Sequence, residues 1–87
     1  MTVLRLRADN VFWRESGGEV VALDADASRY LLANPSAAEL WKRLEGGATE
    51  ADLIAALSDR YDVPRDVAQR DVAAFLAQLS ARGLLAT

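Results

Sequence analysis

Residues 17–41, GGEVVALDADASRYLLANPSAAELW, leave this chain few folds to choose from. Glu19 to Leu23 is rich in β-branched and aliphatic residues, Asp24 to Ser28 carries turn chemistry, and Arg29 to Ala33 returns to aromatic and apolar residues. That order spells strand, turn, strand. The second strand must then stop. Asn34 can cap the free amides of a following helix, and Pro35 suits the first helical position, where a missing N–H is no loss. A strand that gives way so abruptly to a helix is left at the edge of its sheet, with backbone donors and acceptors free along one side.

Upstream, Val3-Leu4-Arg5-Leu6-Arg7 alternates apolar and basic residues, as an edge strand or a tethered extended arm does, and Asp9-Asn10 breaks it. Val11 to Glu15 reads as another strand, and Ser16-Gly17-Gly18 as a turn whose glycines allow positive φ. One ring of the Phe12-Trp13 pair is expected in the core, the other partly covering the sheet. Short connections make sequence neighbours sheet neighbours, which gives an antiparallel meander ending in Arg29–Ala33. The first helix is expected from Pro35 to about Glu45, burying Ala37, Leu40, Trp41 and Leu44, and Gly46-Gly47 ends it. Thr49 with Asp52 three residues later resembles a capping box, opening a second helix that buries Leu53, Ile54, Ala56 and Leu57. Pro64 fits the first turn of a third helix running to about Arg82. Gly83 is its expected cap, and Leu84-Leu85 folds back on the core. The expected fold class is α+β and winged-helix-like, a three-stranded antiparallel sheet followed by three helices, in a single domain over residues 1–87.

The third helix carries two stripes. Val72, Phe75, Leu76 and Leu79 have core-facing offsets. At about 100° per residue, Val67, Asp71, Ala74 and Gln78 form a second stripe roughly 120° away, with Phe75 on the border. That mixture suits an ordinary solvated flank, and equally a shallow groove floored by the small Ala74.

Composition removes most chemistry. The 87 residues include no cysteine and no histidine, and Lys42 is the only lysine. Disulfides, thiolate or imidazole nucleophiles and the usual zinc, haem or iron–sulfur ligand sets are therefore excluded. No GxGxxG or GxxxxGK[ST] pattern occurs, so phosphate cradling has no support. Asp24/Asp26 and Asp59/Asp62 fall at loops or helix ends, where acids cap or face water. The alternating ligands of a calcium loop do not continue past Ser28. Ser28, Ser36, Ser58 and Ser80 have no histidine to activate them. No cofactor and no metal site is expected, and no catalytic residue. Nothing from Met1 to Arg7 resembles a signal peptide and no apolar run reaches membrane-spanning length, so a cytoplasmic protein with no membrane partner is expected.

Two binding readings remain. A winged-helix regulator would lay its third helix in a DNA groove, but that helix sets Arg65, Arg70 and Arg82 against Asp66 and Asp71, and a net charge of −3 does not suit phosphate neutralisation. The alternative is strand addition, in which main-chain hydrogen bonds supply affinity and side-chain pockets supply specificity. On this reading Arg29, Tyr30, Leu31 and Leu32 dock a peptide backbone, though only the outward pair can touch it with side chains. Val67, Asp71, Ala74, Phe75 and Gln78 line the opposite wall. Arg70 and Asp71 offer charge selection, Asp71 having a rival role as a structural partner for a backbone group or an arginine.

The run Glu19 to Asp24, Ser28 to Asn34, Ala38-Glu39-Leu40-Trp41, Gly46-Gly47, Asp71 to Leu79 and Gly83-Leu84-Leu85 resembles the PqqD-like proteins, the recognition elements of ribosomally made, post-translationally modified peptides. The resemblance covers nearly everything from Val11 onward and rests on order and spacing. It implies a small three-stranded sheet with three helices, and a precursor's leader peptide bound as an added strand between Arg29–Leu32 and Val67–Gln78. With its Ser28-Arg29-Tyr30 turn into the last strand, the chain is most similar to the stand-alone leader-binding proteins of lasso-peptide systems. That similarity implies a leader protease and a cyclase as further partners, and no nucleic acid. A noncatalytic subunit of a radical-enzyme peptide-modification system is the alternative within the same resemblance.

Overall fold

The computed structural model describes residues 2–86, so that Met1 and Thr87, the two ends of the expected domain, lie outside them. The elements run β1 Val3–Leu4, β2 Val11–Ser16, β3 Glu19–Asp24, β4 Arg29–Ala33, α1 Pro35–Gly46, β5 Ala48–Thr49, α2 Glu50–Tyr61 and α3 Arg65–Ala81. The fold is α+β: β2, β3 and β4 form an antiparallel meander in that order, and three helices follow. A second, two-stranded pairing joins β1 to β5, with Val3 opposite Thr49. β5 has no local signature, because two residues after a glycine pair, the second of them the α2 cap, carry no alternation.

Period-two burial shows which sheet face meets the helices. Val20, Ala22 and Asp24 of β3 and Leu31 and Ala33 of β4 point inward. Val20, Ala22, Leu31 and Ala33 pack with Trp41 and Leu44 of α1, Leu53 of α2 and Val72 and Leu79 of α3 in one continuous core. Trp13 joins from β2, its ring meeting Trp41 edge-on at 6.2 Å, while Phe12 stands exposed on the outer face.

The break after β4 follows from Asn34, whose backbone is extended (φ −65°, ψ 172°) and whose Oδ1 accepts the Ala37 N–H at 3.0 Å. Pro35 then starts α1 at no hydrogen-bonding cost. This helix buries Ala38, where Ala37 was expected, because Ala37 turns toward the cleft described below. α2 opens on a complete capping box: the Thr49 N–H donates to Asp52 at 3.0 Å and the Asp52 N–H to the Thr49 hydroxyl at 3.1 Å. Ala68, Val72, Phe75 and Leu79 are buried on α3, with Leu76 only partly covered. The N-terminal residues form a tethered arm. Leu6 bridges to Leu85, the Arg7 N–H donates to the Leu84 carbonyl at 2.7 Å, and the Ala86 N–H donates to the Arg5 carbonyl at 2.8 Å.

Candidate functional site

Among the described residues β4 pairs with β3 alone, so its other side is a free edge. The register fixes which backbone groups lie there. Gly17-Gly18, both at positive φ, close the β2–β3 hairpin with two residues, which makes Ser16 and Glu19 a hydrogen-bonded pair. Alternation then assigns Val21 and Leu23 to β2, and Val20, Ala22 and Asp24 to β4. Their partners Ala33, Leu31 and Arg29 turn their backbone groups inward, leaving the N–H and C=O of Tyr30 and Leu32 on the open side. The Tyr30 carbonyl agrees: it accepts Arg82 Nη1 at 3.1 Å, a side chain arriving from the end of α3. Side chains sort the same way. Leu31 is buried, whereas Tyr30 and Leu32 are the outward pair, 69% and 66% exposed on the sheet face away from the helices.

The free edge faces a cleft whose other wall is α3. At the far end of β4 a hollow of about 370 Å³ lies between Asn34, Ser36 and Ala37 on one side and Asp71, Ala74, Phe75 and Gln78 on the other. At the start of β4 a smaller hollow of about 210 Å³ is bounded by Arg29 and Leu31 of the strand and by Ala81, Arg82 and Leu84. The chain therefore runs down β4 as α3 runs up beside it. Six of the ten residues picked from the sequence, Arg29, Leu31, Asp71, Ala74, Phe75 and Gln78, line these two hollows. Tyr30 and Leu32 contribute backbone at the edge, while Val67 and Arg70 line neither hollow. Sequence reasoning did not find Asn34, Ser36 and Ala37, which occupy the strand-to-helix corner. Nor did it find Arg82, although Arg82 lies four residues beyond Gln78 and so extends the stripe Val67, Asp71, Ala74, Gln78 by one helical step. A larger hollow of about 660 Å³, between Arg43, Asp52, Asp59 and Arg60, shares no residue with the cleft. Its two acids and two bases balance, and its only apolar lining is the small side chains of Ala48, Ala55 and Ala56.

Charge is unevenly spread along the cleft. Asp24, the acid nearest its start, is taken: Arg7 Nη2 lies 2.6 Å from its Oδ1. Burial pushes the Asp24 carboxyl up, but the Arg7 hydrogen bond, the Ala27 N–H, the Arg7 charge and the Asp26 N–H outweigh it and hold the group below its ordinary value. Asp71 enters no ion pair or hydrogen bond among the described side chains, so the structural-partner role weighed for it finds no partner there. Among the described residues no group of three histidines, cysteines or acids could hold a metal.

The chain matches the family described as Coenzyme PQQ synthesis protein D (PqqD) over residues 19–85. It belongs to the PqqD family. The matched span holds β3, β4, all three helices and the Leu84-Leu85 return, which includes both walls of the cleft. Two solved structures share the PqqD-family fold seen here. One, TbiB1 in complex with the TbiA(beta) leader peptide, is 27% identical, with a TM-score of 0.86 and 94% of each chain covered. The other, a lasso peptide synthetase B1 complexed with the leader peptide, is 31% identical, with a TM-score of 0.83, and covers 97% of this chain and 98% of its own. No curated protein sequence matched the chain.

Proposed function

We propose that this PqqD-family chain binds the leader region of a ribosomally made precursor peptide as an added strand on β4 and presents it to separate modifying enzymes. The single observation that carries this is the free edge of Tyr30 and Leu32 opening onto a cleft against α3. Its support is the likeness, at 31% identity over almost the whole chain, to a lasso peptide synthetase B1 whose structure holds a leader peptide. In a lasso-peptide setting the receiving enzymes are a leader protease and a cyclase. The chain itself performs no chemistry on this reading, and its work is recognition.

The energetics define what the cleft must add. Two residues offer two N–H and two C=O groups, and each ladder hydrogen bond nets about 0.5–1.5 kcal/mol, so the edge alone supplies about 2–6 kcal/mol. Micromolar affinity needs about 8 kcal/mol. The balance comes from guest side chains entering the hollows beside Ala74 and Phe75 and beside Leu31. Exposed Ala74 can be enlarged without disturbing the core. The test is calorimetry with a synthetic leader from the precursor encoded nearest this chain. Ala74→Trp should lower affinity at least about tenfold, a loss of about 1.4 kcal/mol, with an unchanged melting temperature. Unaltered affinity would place the guest elsewhere.

A further inference from the structure

The Arg82 guanidinium stands where a guest strand has to go. A strand added to β4 directs a backbone N–H at the Tyr30 carbonyl, yet that carbonyl already accepts Arg82 Nη1 at 3.1 Å. Binding as read above displaces or crowds this contact and frees a guanidinium with five N–H donors at the mouth of the hollow that opens the cleft. Arg29 lines the same mouth, and neither arginine pairs with a carboxylate among the described residues. The one acid there, Asp24, is held by Arg7 and has no charge to spare. At the other end stands Asp71, an acid with no ion-pair partner among the described residues. Arg82, the residue that caps α3, lies eleven positions after Asp71, about 16 Å at 1.5 Å per residue. An extended guest spans that distance with about five residues.

We propose that Arg82 is a specificity-determining residue that exchanges partners: as the guest N–H takes the Tyr30 carbonyl, the guanidinium, with Arg29 beside it, takes a carboxylate of the guest. The guest class is then a peptide with an aspartate or glutamate at one fixed position opposite the start of β4. Asp71 disfavours an acid placed beside it at the far end, and so opposes the shifted register. The exchange replaces a hydrogen bond to a neutral carbonyl by a charge-assisted, bidentate one, which is the stronger kind. This rests on the strand-addition reading and adds to it a chemical requirement on the guest.

Selection of a displayed library of random 12-residue peptides against the wild-type chain, Arg82→Met and Arg82→Lys tests it. Wild type should enrich peptides with an acidic residue at a single position. Arg82→Met should lose that preference while still capturing peptides, and Arg82→Lys should keep it in weakened form. In calorimetry, changing the enriched Glu to Gln should cost about tenfold in affinity on wild type and less than about twofold on Arg82→Met. The α3 cap uses the Arg82 backbone N–H, so the variant should fold. If it does not, the Glu-to-Gln comparison on wild type decides alone. Enrichment without an acid, or the same acid enriched by Arg82→Met, overturns the exchange but leaves strand addition standing. Capture of no peptide by wild type overturns both.

Discussion

Asp24 ends β3 with its carboxylate buried and engaged by Arg7 at 2.6 Å, by the Ala27 N–H at 3.4 Å and by the Arg7 charge. Because its folded pKa lies below the unfolded value of about 3.9, its contribution is complete above that pH and is lost as pH falls through the folded value. Asp52 adds to the same acid limb, its carboxyl lowered first by the Thr49 N–H and then by the Thr49 hydroxyl. Thermal unfolding of Asp24→Asn should therefore show a lower melting temperature than wild type at pH 7 and a shallower decline between about pH 5 and pH 2. Parallel declines would mean that Asp24 titrates alike folded and unfolded. In the sequence Asp24 reads as a loop acid, since Asp24-Ala25-Asp26 is turn chemistry. Nothing local reveals an arginine 17 residues upstream that closes on it only when the arm docks.

Helix ends are where element-scale reading succeeds, because caps are written within three or four residues. The Asn34-Pro35 start, the Thr49–Asp52 box and the Gly83 stop all stand as the residues spell them. At Gly83, φ is +68°, its N–H donates to the Ser80 carbonyl at 3.0 Å and the Leu84 N–H to the Leu79 carbonyl at 2.9 Å. This is the paired C-terminal motif that turns Leu84 back into the core. A side chain there would meet only Arg7 Nη1, at 3.8 Å, so Gly83→Ala is penalised by left-handed backbone strain and not by a clash. The expected loss is about 1–2 kcal/mol in urea unfolding. A neutral result would show that the backbone relaxes out of the left-handed region. What local reading could not supply is pairing at a distance. β5 exists because β1 crosses to it, and the cleft exists because α3 lies beside β4 without covering its edge. The stripe on α3 identified one wall, but the corner at Asn34, Ser36 and Ala37 needed the fold to bring it opposite.

For the molecule as a whole, the arm that precedes the PqqD match closes the core without lining either hollow of the cleft, touching it only through the Arg7 contacts to Asp24 and Leu84. Leu6 is buried and bridged to Leu85, Arg5 Nη1 reaches the Gly46 carbonyl at 3.2 Å, and Arg7 reaches the Gly83 carbonyl at 3.0 Å as well as Asp24. These contacts tie the start of the chain to the end of α1 and to the return after α3, yet neither hollow of the cleft includes Leu4, Arg5, Leu6 or Arg7. Stability and recognition should therefore separate. Leu6→Ala removes a buried side chain and should cost about 2 kcal/mol in denaturant unfolding, a large share of what so small a domain has. At temperatures where the variant stays folded, its leader affinity should remain within about twofold of wild type, well inside the 1.4 kcal/mol that a tenfold change represents. Ala74→Trp should do the opposite, sparing stability and losing the guest. A joint fall of both quantities in Leu6→Ala would mean that the arm holds α3 in its binding position, and the cleft could then no longer be treated as a site independent of the arm.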